Sequence, residues 1–283
     1  MPANPVLNDK RWNEEVEADP RWASAGAASL KVQQDIAYKG APPVGSVKTM
    51  TLGGTLSAIA VLFTLLLVSA AFGWGQVTQT ETTVETASGT QTNITTNFPG
   101  WIWLPMILAV VLGFVTIFKP KLARFLAPLY CLGYGIALGA ISHMYNLQFD
   151  GIVLQAVGAT LSVFLVMLFL YVTRIIKVTS KYVTVVIAAT AGIFLLYMVT
   201  WVATLFGADI AFWNTPSLLG IGISVVIVIV AALNLGIDFR FIESAIDQGA
   251  PRYMEWYGAF GLTVTIIWLY LEILRLLSLL QSR

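Results

Sequence analysis

An all-α integral membrane protein with seven transmembrane helices is predicted by three observations. Hydrophobic residues make up 57% of the 283 residues and charged ones 11%, a balance far outside that of water-soluble domains. Seven apolar stretches each approach the roughly 20 residues that a helix needs to cross the hydrocarbon core. Between them, Lys and Arg segregate to alternate connections. The net charge of +1 says nothing about partners. No P-loop, no metal-spaced Cys/His cluster and no basic stripe for nucleic acid occurs. Cys131 is the single cysteine, so an intrachain disulfide is excluded.

Residues 1–49 mix Glu14, Glu15, Glu17 and Asp19 with Lys10, Arg11, Arg21, Lys31, Lys39 and Lys48, without sustained apolar periodicity. They read as a cytoplasmic, largely disordered tail, in which no cleavable signal peptide is recognised. Residues 50–283 read as the seven-helix transmembrane domain. Its apolar stretches cover about 50–74, 101–118, 125–146, 152–173, 182–206, 218–238 and 255–280. Basic residues are absent from 75–100, 147–151 and 207–217. They recur as Lys119, Lys121 and Arg124, as Arg174, Lys177 and Lys181, and as Arg240 and Arg252. The positive-inside rule therefore places the N-terminus in the cytoplasm, and an odd number of spans places the C-terminus outside the inner (plasma) membrane.

The first external connection, 75–99, is rich in Thr and Gln. Trp74, Trp101, Trp103 and Trp213 gather at the outer boundary, where amphipathic indoles anchor helices. In the third stretch Gly135 and Gly139 form a small-xxx-small pair that lets another helix approach closely. His143 lies near the outer end of the same stretch, where an imidazole is commonly solvated or hydrogen-bonded.

The candidate site rests on two carboxylates. Glu272 lies inside the last stretch, in Leu269-Tyr270-Leu271-Glu272-Ile273-Leu274, where a charge costs about 2.5 to 3.5 kcal/mol on insertion scales and must face protein or water. Arg275, three residues on, can pair with it locally. Three- and four-residue steps back from Glu272 reach Trp268, Thr265, Gly261 and Gly258, a small and polar stripe that serves as a packing seam or as the wall of a polar path. Asp238 closes the sixth stretch. At helical spacing it shares a face with Phe241, Ile242, Ala245 and Ile246, while Arg240, Glu243 and Asp247 share another. Asp238 is thus expected to point into the bundle. If the two acids meet, they titrate as a unit and share a proton, and on losing it they offer oxygen ligands to a hard cation such as calcium. Two side chains supply too few oxygens for a tight site, which suits permeation better than storage.

These residues carry a resemblance. Gly135-Ile136-Ala137-Leu138-Gly139-Ala140-Ile141-Ser142, Asn234-Leu235-Gly236-Ile237-Asp238-Phe239 and the sequence around Glu272 are similar to the transmembrane Bax inhibitor motif (Bax inhibitor-1-like) family, and look most like its bacterial, actinobacterial members. The resemblance implies a C-terminal helix enclosed by the other six, a pH-sensitive calcium leak gated by the acidic pair Asp238 and Glu272, and no enzymatic activity. The alternative is a non-conducting membrane protein that modulates a partner such as a membrane protease complex. Three departures bear on this. Glu stands at 272 where the family usually has Asp, and Tyr134 stands where related chains often carry an acid. The spacing from Asp238 to Glu272 is the third: a reversal near Gly249 to Pro251 leaves them about 15 Å apart in height, whereas a reversal centred on Glu255 levels them.

The expected partners are therefore the lipid bilayer and a permeating calcium ion. No cofactor or nucleic acid is expected, and the sequence does not identify a protein partner.

Overall fold

Thr51 starts the first of the described helices: its backbone is extended, and its hydroxyl accepts from the Gly54 N–H at 3.0 Å, so one of the orphan donors of the first turn is satisfied. The computed structural model describes residues 49–86, 89–207 and 215–283. The tail expected over 1–49 thus lies outside the described residues except for Thr49, as does Trp213.

Helix α1 spans Leu52–Trp74. A hairpin of strands β1 (Thr78–Thr86) and β2 (Gly89–Asn97) follows, antiparallel, with Thr78 opposite Asn97 and Thr86 opposite Gly89. The chain continues as α2 (Trp103–Phe118), α3 (Ala123–Gln148), α4 (Ile152–Val172), α5 (Ser180–Leu205), α6 (Leu218–Asp247) and α7 (Met254–Gln281). Short 3-10 turns at Gly100–Ile102 and Pro120–Leu122 lead into α2 and α3. Thr179 and Ser217 cap α5 and α6 as Thr51 caps α1. Gly151 enters α4 at φ 75° and Gly249 leaves α6 at φ 63°, a left-handed conformation that a Cβ disfavours.

All seven helices are long and apolar enough to cross a membrane, so the chain is a multi-pass membrane protein. Six of them begin and end within a few residues of the apolar stretches. The sixth does not: α6 runs past its apolar stretch to Asp247, carrying Arg240 and Glu243 with it. Successive helices alternate in direction. One end of the bundle holds the hairpin; the other holds the basic connections.

The hairpin was not anticipated from the Thr/Gln-rich connection. Its strands read Thr-Gln-Thr-Glu-Thr-Thr-Val-Glu-Thr and Gly-Thr-Gln-Thr-Asn-Ile-Thr-Thr-Asn. β-branched residues dominate both, and stiffness at χ1 suits them to extended backbone.

Glycine sets the approach of α3 to α1. A Cβ on Gly135 would meet Ser69 Oγ at 1.9 Å, and one on Gly139 would meet the Ala70 carbonyl oxygen at 1.9 Å. From the other side, a Cβ on Gly73 would meet the Ile136 carbonyl oxygen at 2.0 Å. The small-xxx-small pair is thus a backbone-to-backbone contact, closed by Ser69 Oγ donating to the Cys131 carbonyl at 3.1 Å. Of the enclosure expected for α7, packing against α1, α3, α4 and α6 is seen. Half of the most apolar window of α7 is buried, against 11% for α5, the least buried helix, which packs mainly on α6.

Candidate functional site

The stripe read on the last helix faces α6. At its basic end, a Cβ on Gly258 would come within 3.1 Å of Ile242 Cγ1, and one on Gly261 within 3.7 Å of Asp238 Oδ1. The Thr265 hydroxyl also faces the Asp238 carboxylate. Further along, Trp268 Nε1 donates to Glu272 Oε1 at 3.2 Å. Asp238 and Glu272 therefore lie on one seam, from opposite helices and on opposite sides of its middle.

They do not form a direct pair, and here the expectation of a paired gate needs correction. Asp238 is level with Gly261 and Thr265, which leaves about 10 to 16 Å of α7 between it and Glu272 at 1.5 Å per residue. The cause is the position of the reversal: α6 ends at Asp247 and α7 begins at Met254, so the turn lies at Gly249 to Pro251 and not at Glu255. No hydrogen bond joins the two acids among the described residues.

Glu272 has its own partners. Its Oε1 accepts from the Tyr197 hydroxyl of α5 at 2.5 Å, and its Oε2 lies 3.5 Å from Arg275 Nη2. The Arg275 guanidinium also donates to the Tyr197 oxygen at 3.2 Å and to Ser224 Oγ of α6 at 3.0 Å, with its carbon 5.7 Å from the Tyr197 ring centroid. Glu272 and Arg275 are both buried. The local ion pair recognised in the sequence is thus present, and it is tied to α5 and α6 by Tyr197 and Ser224, which sequence spacing gave no reason to select. Tyr145 of α3 faces the same cluster.

Asp238 is less well provided. Its Oδ2 is buried without a hydrogen-bond partner, as is Oε2 of Glu272 apart from its ionic contact with Arg275. An unsatisfied buried carboxylate oxygen is costly, and a proton or a cation arriving there relieves that cost. Asp238 lines a cleft of about 490 Å³ between α2, α3, α6 and α7. Tyr134 lines it too, so its ring looks into the space that Asp238 occupies. The charged face of α6 turns elsewhere: Glu243 pairs with Arg174 at 2.6 Å and accepts from the Tyr171 hydroxyl, and Arg240 donates to the Val178 carbonyl.

A third acid escaped sequence reasoning. Glu255, buried in the first turn of α7, accepts from Thr51 N at 3.1 Å and Thr51 Oγ1 at 2.9 Å, with Arg252 Nε 3.5 Å away. It covers the N-terminus of α1, where the helix dipole favours negative charge. A Cβ on Gly54 would fall 2.1 Å from Glu255 Oε1, which explains a glycine inside the first turn of α1. Met50 N donates to the Ala250 carbonyl at 2.7 Å and Thr49 bridges to Pro251, extending the latch. At the hairpin end His143 Nδ1 lies 2.8 Å from the Trp74 carbonyl oxygen, its ring stacked 4.5 Å from the indole.

Seven helices able to span a membrane, with an acid-bearing α6–α7 seam among them, define a polytopic membrane protein with buried ionisable groups within its spans. Comparison with family models places it further: the Bax inhibitor 1 like model matches residues 4–282, and the chain belongs to that family. No curated protein matches it.

Proposed function

We propose that the protein is a pH-sensitive cation leak, with calcium as its permeant ion, and that it works without enzymatic chemistry. The observation that carries this reading is the α6–α7 seam, on which Asp238 and Glu272 form two separate acidic stations, each with a buried oxygen that lacks a hydrogen bond. Ionisable side chains at this depth commonly mark ion or proton paths. Among the described residues no three acids, histidines or cysteines gather into a metal cage. Calcium, which takes six to eight oxygens, would therefore meet one carboxylate at a time and complete its shell with water and carbonyls. Such weak, successive contacts suit transit.

Proton occupancy supplies the gate. A protonated carboxyl does not attract a cation, whereas the ionised form does. The pH response rests on Asp238, while Glu272, paired with Arg275 and bonded to Tyr197, holds α5 to the seam. By the positive-inside rule, Asp238 stands on the cytoplasmic side of the midplane and Glu272 on the outer side. The test is calcium influx into dye-loaded liposomes between pH 6 and 8. Influx rising with pH in the wild type, and a response flattened in Asp238→Asn, support the leak. No influx above empty liposomes at any pH, from protein shown to be folded, overturns it and favours the non-conducting membrane protein that modulates a partner.

A further inference from the structure

The cleft beside Asp238 has a chemistry of its own. On one wall Tyr130 and Tyr134 of α3 stack with centroids 5.4 Å apart, and Phe260 of α7 meets Tyr130 edge-on at 5.2 Å. On the other, Phe241 of α6 and Tyr257 of α7 meet edge-to-face at 5.8 Å. All five rings line the cleft, together with the Asp238 carboxylate, and no Lys or Arg does. Gly261 also lines it, and with no side chain there nothing from that position stands between the cleft and Asp238 Oδ1, which a Cβ would meet at 3.7 Å. The rim is lateral: Phe114 and Ile117 of α2 are 56% and 52% exposed, on a surface that faces lipid.

From this geometry we propose that the cleft binds an organic ammonium ion carried on an alkyl chain, which enters sideways from the bilayer. The ammonium is neutralised by Asp238 and faced by the tyrosine rings, and the chain lies along the apolar rim. Aromatic faces attract organic cations, more strongly where water is excluded, and a carboxylate adds a charge-assisted contact. The size falls within the range of small-ligand pockets, about 300 to 1,000 Å³. A calcium ion passing Asp238 is held there only weakly, because one carboxylate and ring faces do not replace its oxygen shell, so at millimolar concentration it does not compete for the cleft. A phosphocholine or phosphoethanolamine lipid headgroup is also a poor occupant, since its phosphate would find no cation in the cleft.

Binding is measured without transport, so the inference stands or falls separately from the leak. The full chain in maltoside micelles is titrated calorimetrically with decyltrimethylammonium, and protein-free micelles are subtracted. Expected is saturable one-to-one binding that neither millimolar calcium nor decanol displaces. In Asp238→Asn it weakens by about tenfold or more, and in Tyr134→Leu by about threefold to tenfold. Should Asp238→Asn fail to fold, Tyr134→Leu and Tyr257→Leu, with wild-type thermal unfolding, carry the comparison. Unchanged affinity in the folded variants, displacement by calcium, or displacement by phosphatidylethanolamine would overturn the assignment.

Discussion

The Tyr197 hydroxyl donates to Glu272 Oε1 at 2.5 Å, and this bond ties the least buried helix to the seam. Tyr197 is also the acceptor for Arg275, so one phenol joins the acid and the base. Tyr197→Phe keeps the ring and removes both contacts. A hydrogen bond to a charged group is worth about 1.5 to 3 kcal/mol, so a loss of that order is expected in thermal unfolding. Hydrogen exchange in α5 should rise while α1 and α3 stay protected. Unchanged exchange in α5 would mean that α6 alone holds it.

Arg275 gives the next test. Removing one member of a buried ion pair leaves the other charge uncompensated, at about 3 to 5 kcal/mol. Arg275→Met should therefore be severely destabilising. The double variant Arg275→Met with Glu272→Gln should recover much of that loss, because no net charge is left buried. Equal instability of the single and double variants would show that Arg275 acts through Ser224 and packing instead.

The latch at the basic end makes a non-additive prediction. Ala at 54 places a methyl where Glu255 Oε1 now lies, so the carboxylate must swing away from Thr51. Gly54→Ala and Glu255→Ala should each cost about 1 to 3 kcal/mol. Together they should cost little more than either alone, since both break the same bonds. Simple addition of the two losses would show that Gly54 is needed for another reason.

How far these features could be read in advance follows from their range in sequence. The seven helices were legible because span length and apolarity are local properties, and the Gly135/Gly139 contact because its spacing is. The inward aspect of Asp238 followed from the division of α6 into charged and apolar faces. The separation of the acids was not fixed in advance, because it depends on whether the chain reverses at Gly249 or at Glu255, and spacing alone allowed both. By contrast, Glu255 meets Thr51 across 204 positions and Tyr197 meets Glu272 across 75. Glu255 beside Arg252 looks like an ordinary solvated helix end. Thr51 before an apolar run signals a cap, but nothing local says that a carboxylate of the last helix completes it. The hairpin was missed for a different reason: its strands are polar on both faces, so apolar alternation, the usual sign of a half-buried strand, is weak.

The most direct test of two separate acidic stations on one path is a double-mutant cycle on calcium influx. Wild type, Asp238→Asn, Glu272→Gln and the double variant are reconstituted and compared at fixed pH, after confirming equal helical content. Expected is that each single variant lowers influx and that the two effects combine additively in free energy, within about 0.5 kcal/mol, as for sites without shared partners. Loss of one acid cancelling the effect of the other, or both variants leaking like the wild type, would contradict it.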